Sequence, residues 1–325
     1  MKLLLSCLLG TTAVLAASRT SPPSDCLHVA KSGGQYTTVQ AAVDSLSTSS
    51  QTAQCIFIDQ GTYTEQVNVV ARSAPLTIYG YTSDTSSYAG NKATITFNAN
   101  AQEAGSNDAS GTFRVSTANF KMYNVNVMNT YTASQAIALS AYASSGYYGC
   151  HFYGFQDTVL ANRGNQYYEK CQITGATDFV FGRSGVAWFE ACDLRVRQGG
   201  SYITANGRQS STDPSYFVFN KCSIAAASSE SVPAGSYYLG RPWGNYARVV
   251  FQNTVMSSVV NGAGWSEWNG SSDVQNVYFR EYGNTGDGAS GTRVAWAGKL
   301  GAAVSISSIL GSDYASQGYY DASYP

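Results

Sequence analysis

The sequence has 325 residues, which allows one or two domains with a sizeable core. Only 12% of the residues are charged, against a usual share of about 25%, and the formal net charge of −1 excludes bulk electrostatic attraction to nucleic acids or anionic membranes. Gly (32) and Tyr (24) are abundant, a composition that is typical of a secreted all-β protein.

Residues 1–17 have the pattern of a signal peptide. Lys2 is the charged start, the stretch from Leu3 to Leu15 is apolar, and two small alanines suited to cleavage follow. A membrane anchor is the alternative, but this run is short for a bilayer and no other run approaches that length. We therefore predict a secreted, extracellular protein. Because no linker-like tract divides the remainder, we expect a single domain at 18–325.

An amphipathic helix is predicted near the start of this domain, after a first strand at His28–Ala30. Thr37 or Thr38 is suited to be its N-cap. A stack of strands has an open apolar end that must be covered, so we expect this helix to be an N-terminal cap. Its apolar residues follow i, i+3, i+4, i+7 spacing: Val39, Ala42, Val43 and Leu46.

Short strands follow along the rest of the chain, and most of them alternate apolar with polar residues, as half-buried strands do. Loops rich in Ser, Asn, Gly and Asp separate them at 81–92 and 98–110. We expect residues 301–325 to pack on the strands as a tail. The predicted strands outside the central region are Cys55–Asp59, Gln66–Val69, Leu76–Gly80, Thr94–Phe97, Thr112–Val115, Phe120–Met128, Tyr216–Phe219, Arg248–Phe251 and Asn276–Arg280.

A 21-residue period dominates the centre of the chain. Gln135 and Gln156 are 21 residues apart, and so are Asp157 and Asp178. A period of this size indicates stacked repeat units, here coils of short strands. Equal positions on neighbouring coils then lie about 5 Å apart. The two glutamines and two aspartates are therefore predicted to form one column on one face.

The cysteines repeat the same interval at Cys150, Cys171 and Cys192, whereas Cys222 follows after 30 residues, which predicts a loop inserted into that coil. Such loops commonly wall a binding groove. Two outcomes stay open for the six cysteines that follow the signal peptide: a disulfide between Cys171 and Cys192, or a stack of buried free thiols. Asn269 begins the only N-x-S/T sequon and is the predicted glycosylation site.

Several kinds of chemistry are disfavoured by the residue inventory. Only two histidines occur, so no His-rich metal set such as H-E-x-x-H exists, and we interpret His151 as structural. No G-x-S-x-G elbow occurs, which disfavours an ordinary serine esterase. The remaining candidates for chemistry are the carboxylates of Asp157 and Asp178.

These two aspartates stand among apolar and aromatic residues in a chain short of charge. A lone aspartate would be interpreted as a turn residue, but the repeated column favours an acid/base or nucleophile site. Two nearby carboxylates cannot both ionise easily, so their pKa values separate. Arg241 is the candidate to hold one of them ionised, with a plain surface arginine as the alternative. Trp243 offers a flat apolar surface, and a core position suits it equally.

Five segments, taken together and in this order, resemble the signature blocks of the pectin methylesterases, the carbohydrate esterases that demethylate pectin. Each block is short, but five of them over about 180 residues make a specific pattern, and the resemblance covers roughly residues 28–310. The segments are Gly61–Glu65, Gln135–Leu139, Gly154–Thr158, Asp178–Gly182 and Leu239–Trp243.

The departures from the family pattern are conservative. Ile137 and Val180 exchange one aliphatic residue for another, and Val159 stands where many members carry Leu. None of them removes a polar group that the chemistry needs. The longer plant members carry an inhibitor-like pro-region, and the chain resembles the short microbial form because few residues precede the domain.

The resemblance implies a right-handed parallel β-helix and a role for each site residue. Asp178 matches the nucleophile that attacks the methyl ester carbonyl of a galacturonate unit. Asp157 matches the general acid that protonates departing methanol and then the base that activates water. Gln156 matches the oxyanion donor, and Gln135 assists it. Arg241 matches the residue that orients Asp178 and keeps it charged.

The resemblance also implies the remaining expectations about the site. Trp243 resembles a sugar-stacking residue, and Phe181 and Phe155 are expected to line the groove. An attacking carboxylate needs a low pKa, which we expect Arg241 to supply to Asp178. No metal or organic cofactor is required. The expected partner is methyl-esterified pectin, without nucleic acid or membrane, and the protein is expected to act as a monomer.

Two other functions remain open from the sequence. A polygalacturonase or lyase on a similar β-helix is distinguished by its product, because it shortens the polymer, and a glycosidic-bond hydrolase also uses two carboxylates. A non-catalytic glycan-binding protein would use the same groove without turnover. The presence of both aspartates favours the esterase.

Overall fold

The computed structural model describes residues 17–270 and 273–325. The predicted signal peptide therefore lies outside the described residues except for Ala17, and Ser271 of the sequon lies outside them as well. Within the described ranges, no helix is long and apolar enough to cross a membrane.

The chain winds as a parallel β-helix. Each coil gives one strand to each of three parallel sheets, in the same order each time, and strands of neighbouring coils pair in register. The described residues form a first sheet of eleven strands, a second of eight and a third of seven. This arrangement confirms the predicted all-β stack of coils.

The strands are short because each spans only one side of a coil. In chain order they are β1 (Leu27–Val29), β2 (Gln54–Ile58), β3 (Gly61–Thr64), β4 (Val67–Val69), β5 (Leu76–Gly80), β6 (Ala93–Phe97), β7 (Phe113–Val115), β8 (Phe120–Tyr123), β9 (Val125–Asn129), β10 (Leu139–Ala141), β11 (Ser145–Tyr148), β12 (His151–Tyr153), β13 (Val159–Ala161), β14 (Arg163–Glu169), β15 (Gln172–Gly175), β16 (Thr177–Gly182), β17 (Ser184–Glu190), β18 (Asp193–Val196), β19 (Tyr202–Asn206), β20 (Tyr216–Asn220), β21 (Ser223–Ala226), β22 (Tyr238–Pro242), β23 (Arg248–Gln252), β24 (Val255–Met256), β25 (Tyr278–Tyr282) and β26 (Gly298–Lys299).

The sheets collect every third strand through most of the chain. The first sheet is ordered β1-β2-β5-β8-β11-β14-β17-β20-β23-β25-β26, the second β3-β6-β9-β12-β15-β18-β21-β24, and the third β4-β7-β10-β13-β16-β19-β22. The α-helices are α1 (Val39–Ser45), α2 (Ala101–Ala104) and α3 (Ile306–Leu310), and short 3₁₀ turns lie at Asp108–Ser110, Asp287–Ala289 and Tyr314–Ser316.

A stack of aromatic rings runs through the core along the inner face of the first sheet. Neighbouring ring centroids are 4.7 Å apart for Tyr147 and Tyr168 and 4.5 Å apart for Tyr168 and Phe189. The stack continues to Phe219 and Phe251 with two further spacings of 4.4 Å. Because these spacings are close to the distance between paired strands, each ring packs face to face on the ring of the next coil.

A tight corner connects the first sheet to the second in each central coil. Its first residue has a left-handed backbone, and the next side chain turns into the core. Asn124 is one such corner, with φ of 54°, and it divides the predicted strand Phe120–Met128 into β8 and β9. The single-strand prediction was therefore wrong, because the buried apolar residues shift by one position across the corner, from Phe120 and Met122 to Val125 and Val127. The equivalent corners are Gly149, Lys170, Ala191, Lys221 and Asn253, with φ between 48° and 54°.

The predicted bridge between Cys171 and Cys192 is absent, and both cysteines are free, buried thiols. Equal positions on parallel coils point in the same direction, so the two side chains stack about one strand spacing apart instead of facing each other. Cys150 and Cys222 extend the same stack. The alternative of buried thiols is thus confirmed. The disulfide of the described residues joins Cys26, directly before β1, to Cys55 in β2.

Helix α1 covers the N-terminal end of the coils, as predicted. Its apolar face is buried in the core, and the Thr38 hydroxyl accepts a hydrogen bond from the N–H of Ala41 at 3.3 Å. The Glu65 carboxylate accepts the first two N–H groups of the helix, each at 2.8 Å. The last residue of the Gly61–Glu65 segment therefore caps a helix, which a negative charge at a helix N-terminus stabilises.

The C-terminal residues pack on the outer face of the first sheet, as expected for the predicted tail. The Tyr148 hydroxyl donates to the carbonyl of Tyr319 at 2.8 Å, and the Tyr123 hydroxyl donates to Asp321 at 2.6 Å. A Cβ atom at Gly146 would lie 2.1 Å from the Tyr319 carbonyl oxygen, so glycine allows this close approach.

The extra residues in the coil after Cys192 lie in two connections, at 197–201 between β18 and β19 and at 207–215 between β19 and β20. The longer connection, at 207–215, confirms the predicted insertion. The Arg208 guanidinium holds the connection in shape, because it donates to the carbonyls of Asp213, Ser211 and Tyr246. Trp243 packs close to its first residue, Gly207.

Removing one ring from the aromatic stack is predicted to destabilise the whole domain. Phe189→Ala should lower the free energy of unfolding by about 3–5 kcal/mol, since Phe189 is fully buried between two stacked rings. Denaturant unfolding followed by circular dichroism measures this. Tyr131→Ala, on the connection between β9 and β10, is the control and should cost much less. Equal losses for both variants would contradict the role of the stack.

Candidate active site

The predicted column lies at the start of the third sheet. Gln135 pairs with Gln156, and Gln156 pairs with Thr177, in isolated parallel bridges just before the strands. Asp157 follows the second glutamine as Asp178 follows Thr177, so the two aspartates stand on adjacent coils. The structure therefore brings the two glutamines and the two aspartates together, as the 21-residue spacing predicts.

Both aspartates have a left-handed backbone, with φ of 68° for Asp157 and 50° for Asp178. At Asp178 the pairing of β16 with β19 also shifts register between Thr177 and Val180, where β16 carries one extra residue. A bulge of this kind re-aims a side chain. Asp178 thus faces the site while the next side chain, Phe179, is fully buried in the core. Left-handed non-glycine residues cost about 1–3 kcal/mol each and cluster at functional sites.

A cavity of about 160 Å³ opens above these side chains. Asp157 and Asp178 are 6% and 4% exposed, and these small exposed fractions border the cavity. The floor comes from the outer face of the third sheet. The lining residues are Asn107, Gln135, Gln156, Asp157, Asp178, Phe181, Ala205, Arg241, Trp243 and Trp268.

Arg241 binds Asp178 through two hydrogen bonds. Its Nε donates to one carboxylate oxygen at 3.1 Å and its Nη2 donates to the other at 2.7 Å. In the third sheet, Arg241 is in register with Ala205, and Ala205 is in register with Phe181. The small side chain of Ala205 leaves the space through which the arginine reaches back toward Asp178. Such a bidentate pair fixes the orientation of the carboxylate as well as its charge.

Both faces of the Arg241 guanidinium are covered by aromatic rings. Its central carbon lies 4.1 Å from the ring centroid of Tyr202 and 4.1 Å from that of Trp268. The edge of the guanidinium thus remains for Asp178, while the two faces are shielded from water. Guanidinium groups stack favourably on aromatic faces in this way.

The two aspartates differ in their tendency to ionise. Burial raises the pKa of Asp157 well above its ordinary value, the negative charge of Asp178 raises it further, and Arg241 opposes both effects. Burial also raises the pKa of Asp178, although the hydrogen bonds and charge of Arg241 act in the opposite direction. The expected low pKa of Asp178 was therefore wrong, since Arg241 only partly offsets burial. The predicted difference between the two aspartates remains, because Asp157 has no such bidentate partner and therefore holds a proton more readily than Asp178 does.

The aromatic residues predicted for the groove occupy two different places. Phe181 and Trp243 line the cavity and pack on each other, with ring centroids 6.1 Å apart. Phe155 does not line it, and its ring lies 5.2 Å from the guanidinium carbon of Arg197. A substrate contact by Phe155 beyond this cavity stays a prediction.

His151 has the structural role that was predicted for it. Burial lowers the pKa of its imidazole to about 4, and its Nε2 lies 3.2 Å from the hydroxyl of Thr174. Within the described ranges, no three or more His, Cys, Asp or Glu side chains cluster in a way that could hold a metal ion.

Sequence reasoning missed four residues of the site: Asn107, Tyr202, Ala205 and Trp268. Tyr202 and Ala205 lie in β19, whose register with β16 is shifted by the bulge, so a fixed period does not align them with Asp178. Asn107 and Trp268 come from irregular connections. No sequence signal marks these four residues, and strand alternation would place Ala205 on the same face as Ile203, although Ile203 is in the main core and Ala205 lines the cavity.

The arrangement supplies the parts for acyl transfer through a carboxylate. Asp178 is oriented by Arg241 and can act as a nucleophile, whereas Asp157 is disposed to hold a proton. The side-chain amides of Gln135 and Gln156 border the same cavity and can donate hydrogen bonds to a developing oxyanion.

The raised pKa of Asp157 predicts a pH-dependent effect on stability. A group whose pKa is raised in the folded state stabilises the fold below its unfolded pKa, and this stabilisation is lost as pH rises through the folded pKa. Asp157→Asn does not titrate, so its free energy of unfolding should increase relative to the wild type as pH rises. Thermal unfolding from about pH 4 to 8 measures the difference.

Asp44→Asn is the matched control, because Asp44 is exposed on α1. The free energy of unfolding of this variant, relative to that of the wild type, should change little over the same pH range. If the free energy of unfolding of Asp157→Asn differs from that of the wild type by the same amount at every pH, burial does not disfavour ionisation of Asp157.

Comparisons with known proteins agree with this site. The family model described as Pectinesterase matches residues 26–317. A pectinesterase of Aspergillus aculeatus is 50% identical over 330 aligned residues, covering 99% of each chain.

Two solved structures have the same fold. The crystal structure of the Aspergillus niger pectin methylesterase in deglycosylated form has a TM-score of 0.88 at 40% identity and covers 95% of this chain and 100% of its own. Carrot pectin methylesterase has a TM-score of 0.79 at 29% identity, covering 92% and 96% of the two chains. This agreement confirms the right-handed parallel β-helix. The chain belongs to the pectinesterase family.

Proposed function

We propose that this protein hydrolyses the methyl esters of pectin, releasing methanol and leaving a de-esterified polymer. The observation that carries the proposal is the carboxylate pair in one cavity, with Asp178 held by two hydrogen bonds from Arg241 and Asp157 on the adjacent coil. Membership of the pectinesterase family supports the same reaction and the same substrate.

The first half of the reaction forms an acyl-enzyme. An oxygen of the Asp178 carboxylate attacks the ester carbonyl carbon, and the carbonyl oxygen becomes an oxyanion that accepts hydrogen bonds from the amides of Gln156 and Gln135. When this intermediate collapses, the bond to the methoxy oxygen breaks. Asp157 gives its proton to that oxygen, and methanol leaves.

The second half restores the enzyme. Asp157, now ionised, takes a proton from a water molecule that attacks the acyl carbonyl. The bond between that carbonyl carbon and the Asp178 oxygen then breaks. The product leaves as galacturonic acid, which gives its proton to solvent, Asp178 is again a carboxylate, and Asp157 again holds a proton.

The pKa order of the two aspartates suits these roles. Arg241 opposes the effect of burial on Asp178 more directly than on Asp157, because it donates both of its hydrogen bonds to Asp178. As pH rises, Asp178 therefore ionises first, and Asp157 keeps its proton over a further range of pH. Over this pH window Asp178 is ionised and Asp157 is protonated, so the pair is active. This window predicts a bell-shaped dependence of rate on pH.

The surroundings of the carboxylate pair suit a sugar polymer. Trp243 and Phe181 present aromatic surface beside the carboxylates, and we propose that Trp243 stacks on a galacturonate ring. The cavity lining combines aromatic rings with a few polar groups, as ligand pockets commonly do. We further propose that the protein acts as a monomer on this polymer.

We also propose that the protein is secreted after removal of residues 1–17. The disulfide between Cys26 and Cys55 supports this location, since such bonds persist in oxidising compartments. Asn269 is exposed and remains the proposed glycosylation site.

The deciding experiment follows methanol and polymer length in the same reaction. Purified mature protein, incubated with highly methylated pectin and EDTA, should release methanol without shortening the polymer. A polygalacturonase or lyase would shorten the chains or form unsaturated ends. Folded protein that binds pectin but releases no methanol would support a glycan-binding function instead.

Loss of the nucleophile is predicted to abolish turnover without loss of the fold. Asp178→Ala should lower kcat/KM for methanol release by more than about 10³-fold, since no other group can form the acyl-enzyme. Asp44→Ala, which removes an exposed carboxylate from α1, should retain full activity. Circular dichroism and thermal unfolding check that both variants fold. A folded Asp178→Ala protein with near-normal activity would remove Asp178 from the mechanism.

A further inference from the structure

We propose that Tyr202 and Trp268 are positioning residues that clamp the Arg241 guanidinium between their rings and so hold it in line with the Asp178 carboxylate. This inference rests on the proposed esterase function and extends it to two residues that do not need to touch the reacting atoms. Both rings lie outside the 21-residue column of glutamines and aspartates.

The geometry of the clamp is symmetrical. Each ring centroid lies 4.1 Å from the guanidinium carbon, one on each side, while Nε and Nη2 donate in the guanidinium plane to the two oxygens of Asp178. An arginine side chain has many rotamers, and two rings that cover its faces leave few of them accessible. The rings therefore restrict the guanidinium to the plane in which both hydrogen bonds form.

The backbone connects Tyr202 directly to the nucleophile. Tyr202 pairs with Thr177, which precedes Asp178, on one side of β19, and with Tyr238 on the other side. The rings of Tyr202 and Tyr238 also stack, with centroids 5.8 Å apart. Tyr202 is thus anchored at the edge of the bulge that aims Asp178, so one residue links the bulge to the arginine.

The two rings differ in their access to substrate. Trp268 lines the cavity, whereas Tyr202 is not among the lining residues and lies on the opposite face of Arg241. A substrate in the cavity can contact Trp268 but is separated from Tyr202 by the guanidinium. Tyr202 therefore allows the clamp to be tested apart from substrate binding.

Among the described residues that line the cavity, two charged groups face Asp178. Arg241 comes from β22, and Asp157 comes from the connection that precedes β13 on the adjacent coil. Tyr202, from β19, adds a phenol ring on the far side of the arginine. If Arg241 moves out of line, Asp178 loses its cation while burial still opposes its ionisation. The pKa of Asp178 then rises, and the acid limb of the pH–rate profile moves to higher pH.

The test compares pH profiles of kcat/KM for methanol release. Tyr202→Met should move the acid limb upward by about half to one pH unit, which corresponds to about a three- to tenfold loss on the acid side. The rate at the top of the profile and KM should change much less. Tyr202→Phe keeps the ring face and should restore the wild-type limb.

A second series keeps the shape of the ring and changes only its electrons. Phenylalanine with one, two or three fluorine atoms is placed at position 202, and the acid limb should move upward step by step as the ring face becomes less negative. This series remains informative if Tyr202→Met does not fold. An acid limb that stays constant through the fluorinated series would overturn the clamp.

The two proposals fail in different ways. If no variant or wild-type protein releases methanol, the proposed function is wrong. If the wild type releases methanol but Tyr202→Met raises KM with an unchanged acid limb, Tyr202 is a substrate contact and the clamp is wrong. Trp268→Phe should move both the acid limb and KM, because Trp268 covers Arg241 and also lines the cavity.

Discussion

In-register pairing of parallel coils is the constraint on which the rest of this structure depends. Each residue lies one strand spacing from its equivalent on the next coil, so side chains of one kind form continuous columns. In the core this gives rings stacked 4.4–4.7 Å apart and a row of buried thiols. A column stabilises the fold only if every member fits its two neighbours. The hydrophobic core is consequently a set of linear stacks, closed by α1 at the N-terminal end.

The site uses this regularity and then departs from it at one point. Stacking places Gln135 on Gln156 and puts Asp157 and Asp178 on adjacent coils. Two equal carboxylates would compete for one proton without distinct roles, so the reaction needs an asymmetry. The extra residue in β16 and the arginine from two coils further on supply it, because the bulge lies at Asp178 and Arg241 donates its two hydrogen bonds to Asp178. In the proposed mechanism the neighbouring rings keep that arginine in place, and the regular columns supply the nucleophile and the proton donor.

The sequence was sufficient to predict the regular part of the molecule. Periodic residues such as Cys171 and Gln156 report directly on coil stacking, and the spacing of Val39, Ala42 and Val43 identifies the capping helix. The features that the sequence did not predict depend on backbone geometry or on contacts between residues that are distant in the chain. The left-handed corner at Asn124 shifts the apolar alternation by one residue, but Tyr123 continues the apolar run across that shift, so two strands resembled one. Tyr202 reaches Arg241 across a shifted register. The pKa of Asp178 depends on burial, which the identity of a charged partner does not reveal.

The left-handed corner between the first two sheets has a consequence for how such a molecule can diversify. A residue added there would reverse the alternation and turn the stacked thiols of one coil outward. That edge of the helix therefore keeps its length through the central coils, and its long connection, 81–92, lies before them, between β5 and β6. The other two corners carry the segments 130–138, 207–215 and 227–237. New substrate preferences are thus expected to arise by insertion at those two corners, and a designer who wishes to lengthen the groove should graft loops there and leave the tight edge untouched.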